Sequence, residues 1–210
     1  MKKILMVCTA NICRSPYAAA TLGARTSRMP GLSQIEISSA GTKALPGAGV
    51  CEEVERLLHG EAQLTGRHSS SILNASSIEA ADLVLVMDLA QRSEVARIVP
   101  SARQRSFTLR EAADLARHVR LGPQAGAADG DGSGDVLFRD FVAELHALRG
   151  FAPIKTGAEV PFWKRISRAG HDPLDIPDGH NSTYRRHQAT LKQVEEATLG
   201  LVTALDRLFG

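Results

Sequence analysis

The sequence predicts an α/β fold of the doubly wound kind, and two patterns carry that prediction. Ile4–Val7 and Leu83–Met87 are nearly continuous runs of apolar side chains, as expected of parallel strands buried on both faces. Segments with helical periodicity follow each run, and strand alternating with helix argues for helices laid on both sides of one sheet.

The elements follow in chain order. Ile4–Val7 is the first strand, and Ser15 to about Thr26 the first helix, with Pro16 in its opening turn, where proline is tolerated. Ile35–Ser39, Leu83–Met87 and Ser106–Leu109 are the remaining strands. Ala48 to about His59 and Ala90–Ile98 are further helices. Leu121–Gly134 (LGPQAGAADGDGSG) is small, acidic and flexible in composition and reads as a surface loop. A helix is expected from Asp135 to Leu148. Phe151–Ala169, which holds the one tryptophan, Trp163, has no clear assignment. The strongest helix is Ser182 to about Leu208, where Leu191, Val194, Leu201 and Leu205 share an apolar face. One domain over residues 1–210 is expected, with an extended segment at about 120–168.

Composition excludes some classes. Of 210 residues 43% are hydrophobic, enough for a sizeable core, and a net charge of +2 is too mild for a nucleic-acid surface. The apolar run after Lys2-Lys3 is too short for a secretory signal, and no run approaches a membrane span. Three cysteines do not suggest a disulfide framework; a cytoplasmic protein with working thiols is the expectation. No metal-ligand spacing is visible: His68, His171, His180 and His187 are scattered and read as surface polar residues. No cofactor is expected.

Two of those thiols lie in VCTANICRSP, Val7–Pro16, where the first strand must turn into the first helix. Ligands of open α/β sheets bind outside the carboxyl ends of the strands. A helix N-terminus there supplies free amides and partial positive charge. The amides of Thr9, Ala10, Asn11, Ile12 and Cys13 can therefore curl round a tetrahedral oxyanion. Arg14 can close the ring with a bidentate fork. Cys8, at the base of the bowl, feels all of these, and all favour its nucleophilic thiolate. A thiolate beneath a bound phosphate is placed for in-line attack. Ser15 can donate to the sulfur, and Asn11 can brace the loop through its amide. Cys8 and Cys13 share one short loop, so a peroxide-induced link between them is a further expectation.

VCTANICRSP resembles the phosphate-binding loop of the low-molecular-weight protein tyrosine phosphatases. SSAGT (Ser38–Thr42), GRHSSSIL (Gly66–Leu73), ADLVLVMD (Ala81–Asp88) and FTLREAADLA (Phe107–Ala116) are similar to later parts of that family. The resemblance implies a four-stranded parallel sheet flanked by helices, a phosphatase I-like three-layer sandwich. It also implies hydrolysis of a phosphotyrosine protein, or of a small phosphomonoester, through a phosphocysteine intermediate. Carried over, Cys8 is the nucleophile, Arg14 the phosphate clamp, and Asn11 and Ser15 the loop support. Ile12 resembles the tyrosine branch; threonine there would suggest phosphoarginine.

The family's general acid precedes the last helix. Here HDPLDIPDGHNSTYRR (His171–Arg186) offers three aspartates. Asp178 has the better position, Asp172 the family's Asp-Pro dipeptide, and Asp175 ranks third. Family members often wall the pocket with aromatic residues where this chain has His180 and Leu45; Tyr17, Tyr184 and Trp163 are the candidate substitutes. Two other functions fit the loop. An arsenate reductase would need a relay of further cysteines, and only Cys51 remains, with no partner nearby in sequence. A non-catalytic phosphate-binding module would keep the loop and lose the acid.

Overall fold

The structure is a computed structural model that describes residues 2–32, 34–58, 68–121, 133–152 and 172–210. Its centre is a four-stranded parallel sheet of order β2-β1-β3-β4. The strands are β1 (Lys3–Cys8), β2 (Glu36–Gly41), β3 (Leu83–Val86) and β4 (Ser106–Thr108). The helices are α1 (Arg14–Thr26), α2 (Glu52–Leu58), α3 (Ala75–Glu79), α4 (Leu89–Ile98), α5 (Leu109–Ala116), α6 (Ser133–Leu148) and α7 (Tyr184–Phe209).

The period-2 alternation of a strand explains why β1 is apolar throughout. Ile4, Met6 and Cys8 enter a core shared with residues of α1, α5, α6 and α7, including Leu22, Leu115, Phe141 and Leu201. Leu5 and Val7 enter a second, smaller core with Ile78 and Val95 of α3 and α4. Both faces of the strand are buried, and the result is the three-layer sandwich. Glu111, 2% exposed, is held by Arg92 at 3.3 Å and Arg149 at 2.9 Å. The Arg149 guanidinium also lies 4.1 Å from the centre of the Phe107 ring, which fixes the end of α6 to the sheet.

Several boundaries differ from the sequence reading. The second helix starts at Glu52 rather than Ala48, because Pro46 and Gly47, the latter at φ +92°, form a turn and residues 48–51 follow it in irregular backbone. Leu109 opens α5 instead of closing β4, since Thr108 and Glu111 form a reciprocal capping box. Similarly Asn74 and Ser77 cap the short α3, which the apolar pattern did not reveal. The last helix begins at Tyr184, capped by Thr183, and α6 begins at Ser133. His59, Gly66, Arg67, His171, Trp163 and most of 121–134 and 151–169 lie outside the described residues. Among the described residues no helix is long and apolar enough to cross a membrane.

Candidate active site

Strand β1 lies between β2 and β3, so the chain leaves its carboxyl end where the strand order reverses, the ligand-binding position of open α/β sheets. Cys8 is its last residue, and the loop to α1 rises from there. Two backbone bonds tie the loop to the chain leaving β2, from Thr42 N to Cys8 O (2.9 Å) and from Lys43 N to Thr9 O (2.8 Å). This approach explains Gly41: a Cβ there would stand 2.6 Å from Thr9 O and 2.9 Å from Asn11 N.

Cys8 Sγ accepts two hydrogen bonds, from Ser15 Oγ at 3.0 Å and from Asn11 N at 3.2 Å. Both stabilise a sulfur that carries negative charge. Asn11 has a φ of 57° and is fully buried; asparagine enters the left-handed region more readily than most residues. Its Nδ2 donates to Ser15 Oγ and to Ser39 Oγ, each at 2.9 Å, and its Oδ1 accepts from Ser71 N at 2.9 Å. His68 Nε2 lies 2.8 Å from Asn11 O. One side chain thus joins the loop to α1, to β2 and to the segment after residue 67.

Arg14, 3% exposed, opens α1. Its Nη1 donates to Ile176 O at 3.0 Å, and its Nη2 to Thr9 Oγ1 at 3.2 Å and Asp178 Oδ2 at 2.6 Å. Asp88 Oδ2 lies 3.6 Å from Nη1. Asp88 caps α4 through Gln91 N, and Gln91 Nε2 reaches both Asp88 Oδ2 and Thr9 Oγ1. The guanidinium is thereby oriented from two sides.

The three aspartates before α7 divide by their partners. Asp172 is used in a local turn, its Oδ1 accepting from Leu174 N. Asp175 Oδ1 accepts from Leu89 N, at the start of α4. Asp178 alone of the three meets Arg14. Its placement comes from Ile176, whose N donates to Met87 O at the end of β3. Arg110 Nη1 adds bonds to Pro173 O and Asp175 O. Gly179 lets α7 approach: a Cβ there would stand 2.7 Å from Arg186 O.

The sequence reading missed Asp88, Gln91, Ser39, Ser71 and His68. Asp88 was within reach of it, as a carboxylate at the end of a strand adjacent to β1. The histidines need correction. His180 and His187 are not scattered surface groups: their rings meet edge to face at 5.4 Å. Cys13 Sγ lies 3.1 Å from His180 Nδ1, and Cys51 Sγ 3.7 Å from His187 Nε2. Cys13 Sγ and Cys51 Sγ, distant in sequence, lie within 4.8 Å of each other. The neighbouring Cys51, together with burial, pushes the Cys13 thiol up, and Cys13 in turn pulls Cys51 down. Burial, then the neighbouring His180, lowers His187.

As for aryl walls, Tyr17 is 5% exposed and sits in the core, so it cannot substitute. Leu45 and Tyr184 are exposed, and Trp163 is outside the described residues.

A model of the low molecular weight phosphotyrosine protein phosphatase family matches residues 3–127, more than half of the chain. The chain belongs to this family. Relatives of this phosphatase-family chain include a protein-arginine-phosphatase of Geobacillus stearothermophilus. It is 35% identical over 109 residues, covering 52% of this chain and 70% of that protein. A probable low molecular weight protein-tyrosine-phosphatase, EpsP of Ralstonia nicotianae, is 39% identical over 112 residues, covering 53% and 72%. The solved structure of the Erwinia amylovora tyrosine phosphatase AmsI superposes with a TM-score of 0.59 at 21% identity. That likeness of fold spans 97% of this chain and 92% of that one.

Proposed function

We propose that this family member is a protein tyrosine phosphatase, a phosphoric monoester hydrolase working through a phosphocysteine on Cys8. The observation that carries the reading is one constellation. A thiol accepting hydrogen bonds from Ser15 Oγ and Asn11 N shares its loop with a buried Arg14, and Asp178 lies 2.6 Å from that guanidinium.

The chemistry follows from these positions. Amides of Thr9 to Cys13 and the Arg14 fork hold the three non-bridging oxygens of the substrate phosphate. The Cys8 thiolate attacks phosphorus, and the bond to the phenolic oxygen breaks. Asp178, as the acid, gives its proton to the departing oxygen. The resulting carboxylate then takes a proton from water, whose oxygen attacks phosphorus and releases phosphate and the Cys8 thiolate. Ser15 and Asn11 N stabilise the sulfur as leaving group in this second step. Asp178 is favoured over Asp172 and Asp175 because it alone of the three meets Arg14, through Oδ2, while its Oδ1 accepts from His180 N. The mechanism uses no metal or cofactor, and the substrate is a phosphotyrosine protein or a small phosphomonoester in the cytoplasm.

Ile12 supports the tyrosine branch through the family resemblance, whereas relatives include a protein-arginine-phosphatase. Comparison of kcat/KM for one peptide carrying phosphotyrosine, phosphoarginine or phosphoserine tests the reading. Phosphotyrosine is expected to lead by at least tenfold. A phosphoarginine preference would overturn the substrate class, and no turnover of any of the three would overturn the hydrolase reading.

A further inference from the structure

We propose that Cys13, Cys51, His180 and His187 form a tetrahedral Zn²⁺ site beside the phosphate loop. Each offers one ligand atom, and the four atoms lie within 4.8 Å of one another. With bonds of about 2.3 Å to sulfur and about 2.0–2.1 Å to nitrogen, tetrahedral geometry puts a sulfur and a nitrogen ligand about 3.6 Å apart. The two Cys–His separations, 3.1 and 3.7 Å, bracket that value.

The donor set also selects the metal. Two thiolates and two neutral imidazoles balance a divalent charge, and the mixture of soft sulfur with imidazole suits zinc rather than calcium or magnesium. Four separate backbone segments present the ligands, and each is already fixed. Cys13 precedes α1 and accepts from Tyr17 N; Cys51 N donates to Ile12 O at 2.7 Å; His180 N donates to Asp178 Oδ1; and His187 N donates to Thr183 O in the first turn of α7. Cys13 is buried while the other three are part exposed, so an ion can enter from solvent. Cys13 adjoins Arg14, and His180 stands two residues after Asp178. A bound ion therefore ties the acid-bearing loop to the phosphate loop, α2 and α7.

The ligands are spaced 13, 51, 180 and 187, unlike any finger or ribbon motif, so no sequence pattern announces the site. The binding claim does not depend on the hydrolase reading, because the test reads metal rather than turnover. Chelator-stripped full-length protein is titrated with Co²⁺, then with Zn²⁺ as competitor. One Co²⁺ per chain is expected, with the intense visible bands of a tetrahedral ion and thiolate-to-metal charge transfer, both removed by Zn²⁺. Cys51→Ser and His187→Ala should each weaken binding about 100-fold or more, since loss of even an outer partner costs 10–100-fold. Cys8→Ser should leave binding unchanged.

A second measurement needs no variant: alkylation of Cys51 in the wild-type protein, followed by mass spectrometry, should be slowed at least tenfold by stoichiometric Zn²⁺. The proposal is overturned if micromolar Co²⁺ and Zn²⁺ do not bind. It is equally overturned if the Cys51→Ser/His187→Ala double variant, folded by circular dichroism, keeps wild-type affinity, or if Zn²⁺ gives Cys51 no protection.

Discussion

Replacing Asn11 by alanine should damage this protein more than any other truncation of one small polar side chain. Asn11 makes three side-chain hydrogen bonds, to Ser15, Ser39 and Ser71, each with a net worth of about 1 kcal/mol. Alanine must also hold the left-handed φ of 57°, at a further cost of about 1 kcal/mol. The total is roughly 4 kcal/mol, a large part of the about 5–15 kcal/mol that stabilises an ordinary domain. Asn11→Gly removes the same hydrogen bonds without the backbone strain, so it should remain the more stable of the two by up to about 1 kcal/mol. Catalysis should suffer in both. Ser15 loses the partner that orients its hydroxyl toward Cys8, and a nucleophile displaced by about 1 Å costs on the order of 10²-fold in kcat/KM. Equilibrium urea unfolding of the three proteins, with p-nitrophenyl phosphate turnover, measures both effects. A loss in Asn11→Ala below about 1 kcal/mol, with unchanged kcat/KM, would refute the view that this side chain builds the loop.

The remaining predictions concern the elements that flank the loop. Gly41→Ala drives a methyl into Thr9 O and Asn11 N; overpacking should cost about 1–3 kcal/mol, and kcat/KM should fall far more than in Gly23→Ala, whose added methyl meets only Ile37 at 3.9 Å. Asp178→Asn should lower turnover of an alkyl phosphate at least tenfold more than that of p-nitrophenyl phosphate, whose leaving group needs little protonation, while Asp172→Asn should leave the ratio of the two rates unchanged. The reverse ranking would transfer the acid role to Asp172.

Most of the sheet and the centre of the candidate site were legible in the sequence because they depend on local order. Short, β-branched-rich apolar runs between helical patterns fit doubly buried strands, and a thiol, an arginine and a serine within one strand-to-helix turn are neighbours in any fold. Asp178 was harder, because what separates it from Asp172 and Asp175 is a partner distant in sequence: only Asp178 meets Arg14. The polar frame around Asn11 was invisible, since Ser39 and Ser71 look like any serines until β2 and the segment after residue 67 meet. The grouping of Cys13, Cys51, His180 and His187 was invisible for the same reason. Its four members are separated by up to 174 positions, from residue 13 to residue 187, and only the packing of α2 and α7 against the start of α1 brings them together. Short helices such as α3 hide behind their caps, where Asn74 and Ser77 matter more than apolar periodicity.

The most direct test of Cys8 as the nucleophile is rapid acid quenching of the enzyme during turnover of a phosphotyrosine peptide, followed by mass spectrometry of the Val7–Arg14 segment. One phosphate on Cys8 is expected within the first turnover. It should persist longer in Asp178→Asn, where water activation is lost, and be absent from Cys8→Ser, which should also be inactive. A Cys8→Ser enzyme retaining even a tenth of wild-type turnover, or phosphate found on any residue other than Cys8, would contradict the mechanism.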